Sequence, residues 1–210
     1  MHLEPYVEQR RRWPEQGRHV LAHFDDDSIV VYQAFRPQIA DEAVRLGRFG
    51  PSFLRSRMSW LKPNFLWMMY RCGWATKVDQ ERVLAVRLPR PFFDRLLALA
   101  VSAWFDPTAG LTEAEWSRAV ASSDVRLQWD PDHNPGGSPL ARRAVQLGLR
   151  RTVLAEYADR AILSIEDVTP LVVEQRAHAK QPWAELRTPS ERVYLPGDPA
   201  LVRALALDSV

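Results

Sequence analysis

A chain of 210 residues with 46% hydrophobic and 26% charged side chains can bury the core of one globular domain, which excludes wholesale disorder. Its longest apolar run, Leu96–Trp104, falls well short of the roughly 18 residues that cross a bilayer, so no membrane partner is expected. The net charge of +2 conceals an asymmetry: residues 55–90 hold eight basic side chains against Asp79 and Glu81 and stand at +6, while the remainder stands at −4. One cysteine, Cys72, and a charged N-terminus in place of an apolar leader set the expectation of a cytoplasmic protein with no internal disulfide.

Residues 1–27 are polar, end in Asp25-Asp26-Asp27, and read as an arm packed on the domain. Ser28–Phe35 is β-branched and aromatic with almost no polar face, the pattern of a buried strand. Pro37 opens a helix to about Leu46 that Gly47 closes, with Ile39, Ala40, Ala43, Val44 and Leu46 on its apolar side. A second such helix runs from Pro63 to about Cys72 and is closed by Gly73. Glu81–Leu88 reads as a strand and Pro91–Trp104 as a strongly apolar helix, and Thr112 with Glu115 forms a capping box.

Val125, Leu127 and Trp129 alternate with Arg126, Gln128 and Asp130, which predicts a half-buried strand. Pro131–Pro139, with three prolines and two glycines, is the strongest break in the chain. A short strand (Ala144–Leu149), a helix (about Arg151–Tyr157) and a strand (Ala161–Glu166) complete a core domain over residues 28–175. Residues 176–210 form an extension with a short helix after Asp198-Pro199. The links between strands vary too much for a doubly wound sheet, so the expected class is a single α+β domain with a mixed or antiparallel sheet flanked by helices.

The basic stretch is the expected working surface. On its helix, Phe65, Met68, Met69 and Cys72 share a core side, while Asn64, Trp67, Tyr70 and Arg71 form the opposite side, flanked by Trp60 and Trp74. An amide, a phenol and a guanidinium among aromatics suit a groove wall that stacks a planar group and holds a phosphate, with Arg57 and Lys62 adding charge. The helix that starts at Pro63 would also point its free amides at a phosphate. Gln33, Gln128 and Gln146 lie in predicted strands, where an amide either satisfies the backbone or reads a ligand's polar edge. Glu81 at a strand start is the candidate base. There is no Gly-rich phosphate loop, dinucleotide fingerprint or serine elbow, and His19 and His23 lack a completing cluster, so no metal is expected.

The runs IVVYQAF (29–35), RMSWLKPNFLWMMYRCGWATK (57–77), QERVLAV (80–86), VRLQWDP (125–131), RRAVQLGL (142–149) and SIEDVTP (164–170) together resemble the bacterial and fungal family called Domain of Unknown Function four-two-nine-one. The likeness covers about residues 20–175 and implies no activity. More distantly, Val31-Tyr32-Gln33-Ala34, followed by a helix ending in Gly47-Arg48-Phe49, resembles the opening of ADP-ribosyltransferase-type domains. That resemblance implies a split sheet with NAD in its cleft, Tyr32 and Gln33 at the strand motif, and the basic aromatic helix as the nicotinamide and phosphate wall. It also calls for a late glutamate, for which only Glu81 and Glu166 stand in.

Three functions follow as expectations. In the first the chain is a nucleotide-handling enzyme, with Trp67 and Tyr70 stacking the base, Arg57, Lys62 and Arg71 holding phosphates, Gln33 fixing an amide and Glu81 steering the ribose. In the second it is a non-catalytic module for single-stranded nucleic acid. In the third it is a protein-interaction domain whose tryptophan helix is wholly structural.

Overall fold

The computed structural model describes residues 1–108 and 110–208. In chain order these form β1 (Leu3–Pro5), α1 (Tyr6–Arg10), β2 (Gly17–Arg18), β3 (Val20–Ala22), β4 (Ser28–Phe35), α2 (Pro37–Leu46), β5 (Ser59–Leu61) and α3 (Phe65–Cys72). There follow β6 (Arg82–Pro89), α4 (Arg90–Leu99), β7 (Ala100–Ser102), α5 (Glu113–Ser122), β8 (Val125–His133) and β9 (Pro139–Leu149). The chain ends with α6 (Arg151–Glu156), a π-helical turn (Tyr157–Ala161), β10 (Ser164–Asp167), α7 (Thr169–Arg176), β11 (Arg187–Pro189), β12 (Arg192–Tyr194) and α8 (Pro199–Ala204).

β4 explains why its sequence is apolar on both faces. It pairs antiparallel with β6, which pairs antiparallel with β10. Ile29 and Val31 join Leu84, Val86 and Leu88 in one core, under Ala40 and Ala43 of α2 and Phe92, Phe93, Leu96 and Leu97 of α4. Val30 and Tyr32 turn with Val83 and Ala85 into a second core, under Phe65, Met68, Met69 and Cys72 of α3 and Val172 of α7. A strand covered on both sides needs no polar face.

The second sheet has the order β2-β9-β8-β7, with β5 pairing the far half of β9. β8 and β9 are antiparallel, whereas β2–β9 and β7–β8 are parallel, so the molecule is α+β as expected, with one mixed sheet and one antiparallel sheet in place of the single sheet foreseen. The two sheets meet where Tyr32 and Lys62 exchange backbone hydrogen bonds, of 2.7 and 3.2 Å. Past that bridge β4 runs on to Phe35 while β5 belongs to β9, and the sheets part. The arm and the C-terminal extension pair with each other, β1 with β11 and β3 with β12.

Several boundaries differ from the sequence reading. The helix expected to reach Trp104 stops at Leu99, because Ala100–Ser102 gains backbone partners along β8, and Trp104 is left exposed. Pro131–Pro139 is a hairpin connection rather than a long loop: pairing continues to Pro131 and resumes at His133↔Pro139 across a bulge, with Gly137 in the left-handed region at φ 88°. β9 accordingly begins at Pro139, five residues before the predicted strand. Val44 and Leu46 of α2, read as apolar-side residues, are exposed, and only Ala40 and Ala43 of that helix are buried. The stops at Gly47 and Gly73 (φ 65° and 59°) and the Thr112–Glu115 capping box are as read.

Candidate functional site

Of the eight cations between residues 55 and 90, five are engaged by the fold. Arg55 pairs with Asp159, Arg82 with Asp41 and Asp167, and Arg87 with Asp25. Lys77 bonds the carbonyls of Tyr70 and Arg71, and Arg90 those of Asp25 and Asp26. Arg57, Lys62 and Arg71 make no side-chain hydrogen bond or ion pair among the described residues. All three line one cleft of about 480 Å³ in the split between the sheets.

β5 and its flanks form one wall of this cleft. Met58, Trp60 and Lys62 alternate as a strand requires, and all three reach the cavity. Trp60 stands opposite Gly148 in the β5–β9 register. A Cβ on that glycine would lie 2.6 Å from Met58 Sδ and 3.0 Å from the Trp60 ring, so the missing side chain is what lets both pack flat against β9. Lys62 is only 4% exposed. Burial, and then the Arg71 guanidinium, hold its ammonium down at about 8, while Asp130 acts in the opposite direction.

The glutamines face the same cleft but are differently occupied. Gln33 Nε2 donates to Ser59 Oγ (2.7 Å) and the Trp60 carbonyl (3.2 Å), and Gln33 Oε1 accepts from the Tyr157 hydroxyl (2.6 Å). Its role is to brace β5 against β4. Gln128 and Gln146 are direct cross-strand partners. Gln146 Nε2 donates to Asp130 Oδ2 (2.7 Å) and to Gln128 Oε1 (2.8 Å). An ionised carboxylate only accepts, so the orientation of both amides follows from Asp130. Among the described residues, Gln128 is left with a free NH₂ and Gln146 with a free carbonyl. Gln80 lines the cleft with its whole amide unengaged among the described residues.

Six of the expected site residues therefore meet here: Gln33, Arg57, Lys62, Arg71, Gln128 and Gln146. The others do not. Tyr32 points to the opposite face of β4, fully buried, with its ring edge on Phe65 at 5.4 Å. Asn64 is the N-cap of α3, accepting from the Trp67 amide at 2.6 Å. Trp67 and Tyr70 lie in a stack with His133, whose ring centroid is 3.5 Å from that of Tyr70 and 5.2 Å from that of Trp67. The expected wall of Asn64, Trp67, Tyr70 and Arg71 is thus corrected: of α3, only Met68 and Arg71 reach the cleft. Glu81 lies outside the lining, its Oε1 accepting from the Asp79 amide at 3.0 Å, and Glu166 is exposed on β10.

The start of α3 also differs from the phosphate-binding role expected of it. Glu191 Oε1 accepts from the Phe65 amide at 2.7 Å, so a carboxyl group of the chain itself sits at that terminus. Burial pushes the Glu191 carboxyl well above its ordinary value, against the Phe65 hydrogen bond that favours the charged form. Trp60 and Gln80 were missed as site residues. The Met58-Trp60-Lys62 alternation could have revealed the first, had the segment been read as a strand and not as the lead-in to a helix.

A smaller annex of about 250 Å³ adjoins the cleft across Arg57, Met58 and Ser59, with Ile39, Phe53 and Leu54 in its wall beside Arg36 and Asp79. No described helix is long and apolar enough to cross a membrane. Comparison with curated proteins yields no match. A family model described as "Domain of unknown function (DUF4291)" matches residues 19–194, which span every segment that builds the cleft, and the chain belongs to that family.

Proposed function

We propose that the cleft binds a phosphorylated small molecule of the nucleotide class, NAD included, and that the chain is a nucleotide-handling protein. The observation that carries this reading is the set of three cations, Arg57, Lys62 and Arg71, with no acidic partner among the described residues, on a cavity whose lining contains no carboxylate. Such a pocket raises the local concentration of anions, and its low-dielectric walls strengthen their contacts. Its volume lies within the roughly 300–1,000 Å³ range of small-ligand sites. In this reading the guanidiniums of Arg57 and Arg71 hold phosphate oxygens and Lys62 supplies a central charge. Trp60 and the Ile39, Phe53 and Leu54 side of the annex take the flat face of the nucleoside, and Gln80, Gln128 and Gln146 offer donors and acceptors to its edges and hydroxyls.

Glutamate-dependent ADP-ribosyl transfer asks for a glutamate beside the ligand; the cleft lining contains none, and the carboxylate in the wall of the annex is that of Asp79. The reading therefore rests on the ligand class and not on that reaction. The single-stranded nucleic acid reading depended on Trp67 and Tyr70 as stacking platforms; Trp67 is buried against His133, which leaves the partly exposed Tyr70 ring as the remaining platform.

A thermal-shift series with NAD, ATP, GTP and a short single-stranded RNA at physiological salt tests the proposal on wild type and Arg71→Ala. Saturating nucleotide should raise the wild-type midpoint by about 5–10 °C, as about 2.7 kcal/mol of linkage does for a domain of this size. Arg71 is exposed and unpaired among the described residues, so Arg71→Ala should keep the wild-type midpoint without ligand and lose most of the shift. Absence of a shift with every nucleotide overturns the reading. Salt-dependent RNA binding without a nucleotide response would favour the nucleic-acid module instead.

A further inference from the structure

We propose that Lys62 is an imine-forming nucleophile and that its substrate is a phosphorylated aldose, either a free sugar phosphate or the terminal ribose of an ADP-ribose-type nucleotide. The inference rests on the anion-binding reading of the same cleft and adds a covalent step to it.

A lysine that serves only as a counter-charge keeps its ammonium solvated or paired with an acid. Lys62 has no acid partner among the described residues, and its nitrogen meets solvent through the cleft alone. It is 96% removed from solvent, it lines the cavity, and its nitrogen has no hydrogen-bond partner among the described residues. The groups around it do little to keep it charged. From α3 come the Arg71 guanidinium and Cys72, whose thiol burial pushes up toward the neutral form. From the segment before β5 comes Arg57, on the same lining. From β8 comes Asp130, whose Oδ2 already accepts from Gln146. Desolvation beside another cation is how proteins prepare an amine as a nucleophile. With a value of about 8, the neutral fraction at pH 7 is roughly 300-fold that of an ordinary lysine.

The step balances without an external oxidant or reductant. The Lys62 lone pair forms a C–N bond to the aldehyde carbon, and the resulting carbinolamine loses the former carbonyl oxygen as water, which carries away both amine protons. The product is a C=N bond on the cleft wall that β5 forms. Arg57 and Arg71 anchor the phosphate. The free NH₂ of Gln128 and the free carbonyl of Gln146, whose orientation Asp130 enforces, are placed to take the hydroxyls of an open-chain sugar. A polyol presents donors and acceptors on adjacent carbons, which a neutral amide pair matches and a further charge would not.

The chain has only three lysines, Lys62, Lys77 and Lys180, which makes the test direct. The full chain is incubated with ribose 5-phosphate, ADP-ribose or plain ribose, reduced with borohydride and mapped by peptide mass spectrometry. A reduced adduct should form on Lys62 at least about tenfold faster than on Lys77 or Lys180, given its larger neutral fraction. Its rate should rise with pH to a plateau above about 8. Plain ribose should label poorly. Labelling by ribose 5-phosphate but not ADP-ribose assigns the free sugar phosphate, and the reverse assigns the nucleotide. Lys62→Arg should abolish the adduct yet retain the thermal shift with nucleotides, because it keeps the charge and removes the nucleophile.

Adduct spread evenly over the three lysines, or absent from Lys62 with both phosphorylated sugars, overturns the imine. If a nucleotide shift is present in that case, the binding reading survives alone. An adduct on Lys62 without any nucleotide shift supports the imine and removes the nucleotide. Equal labelling by plain ribose removes the phosphate anchor from the proposal.

Discussion

Charge is buried in two places in this molecule, and the two are built differently. Beside the arm, Arg142 donates through Nε and Nη2 to Asp132 Oδ2 (2.9 and 2.5 Å) and through Nη1 to the Pro14 carbonyl, and its guanidinium lies 5.4 Å from the Trp13 ring centre. Close by, Gln9 bonds Thr188 and the Glu191 amide, and Glu191 bonds the Phe65 amide. There the chain answers its own polar groups. In the cleft, Lys62 is buried to a similar degree, and among the described residues no side chain bonds or pairs with it, Asp130 acting only at a distance. Both regions carry the cost of desolvation, but only the second leaves an open valence toward a cavity. Burial alone therefore does not mark a site in this protein. Nor does an absent partner, since His19 Nδ1, Trp67 Nε1, Glu81 Oε2 and His133 Nδ1 are also buried without one; an unpartnered cation that lines a cavity does.

The comparison can be broken most forcefully on the arm side. Arg142→Ala strands Asp132 in the interior and should cost about 3–5 kcal/mol in chemical denaturation. A loss under about 1 kcal/mol would mean that the pair is not structural, and the contrast with the cleft would lapse.

The opposite sign is expected at Lys62. Its folded-state value of about 8 lies below the ordinary 10.5, so at pH 7 the folded chain holds a proton under protest. Lys62→Met should raise stability there by about 2–3 kcal/mol while it abolishes nucleotide binding. Wild-type stability should itself climb as pH rises from about 8 toward 10.5, where the unfolded chain binds more protons, and the advantage of the methionine should shrink over the same window. Denaturant midpoints at pH 7 and pH 10 check both signs. A destabilised Lys62→Met would place the residue with Arg142 as a structural charge.

The smallest effect is expected at Gly148. A methyl group there meets Met58 and Trp60, and Met58 can swing aside, so Gly148→Ala should cost about 1–2 kcal/mol. The displaced ring narrows the cleft, and nucleotide affinity measured by calorimetry should fall about tenfold, or about 1.4 kcal/mol. Unchanged affinity would show that Trp60 is not part of the binding surface.

Much of the fold was legible because its causes are local. A strand without a polar face, Pro37 and Gly47 around α2, Gly73 after α3 and the Thr112–Glu115 box each act within a few residues. The cations of the cleft were legible as a local excess of charge, although composition could not say which three lacked partners, since Asp25, Asp41, Asp159 and Asp167 come from elsewhere in the chain. The orientation of α3 was not legible. Its sequence is apolar nearly all round, so the face turned to the cleft is decided by His133 and Glu191, more than 60 residues further along. Asn64 stood at a helix start, where its capping chemistry is the commoner role, and reading it as a ligand contact passed over that local signal.

The Glu191 contact also joins the ends of the chain to the cleft. The helix that carries Arg71 begins on the Glu191 carboxyl, and the backbone of Glu191 is gripped by Gln9 Oε1 at 2.8 Å and Trp13 Nε1 at 2.9 Å. Gln9 and Trp13 precede residue 19, where the family match starts. A version trimmed to the matched boundaries would keep every cleft side chain and discard the clamp behind one wall, so the leading eighteen residues belong with the site in any dissection of this protein.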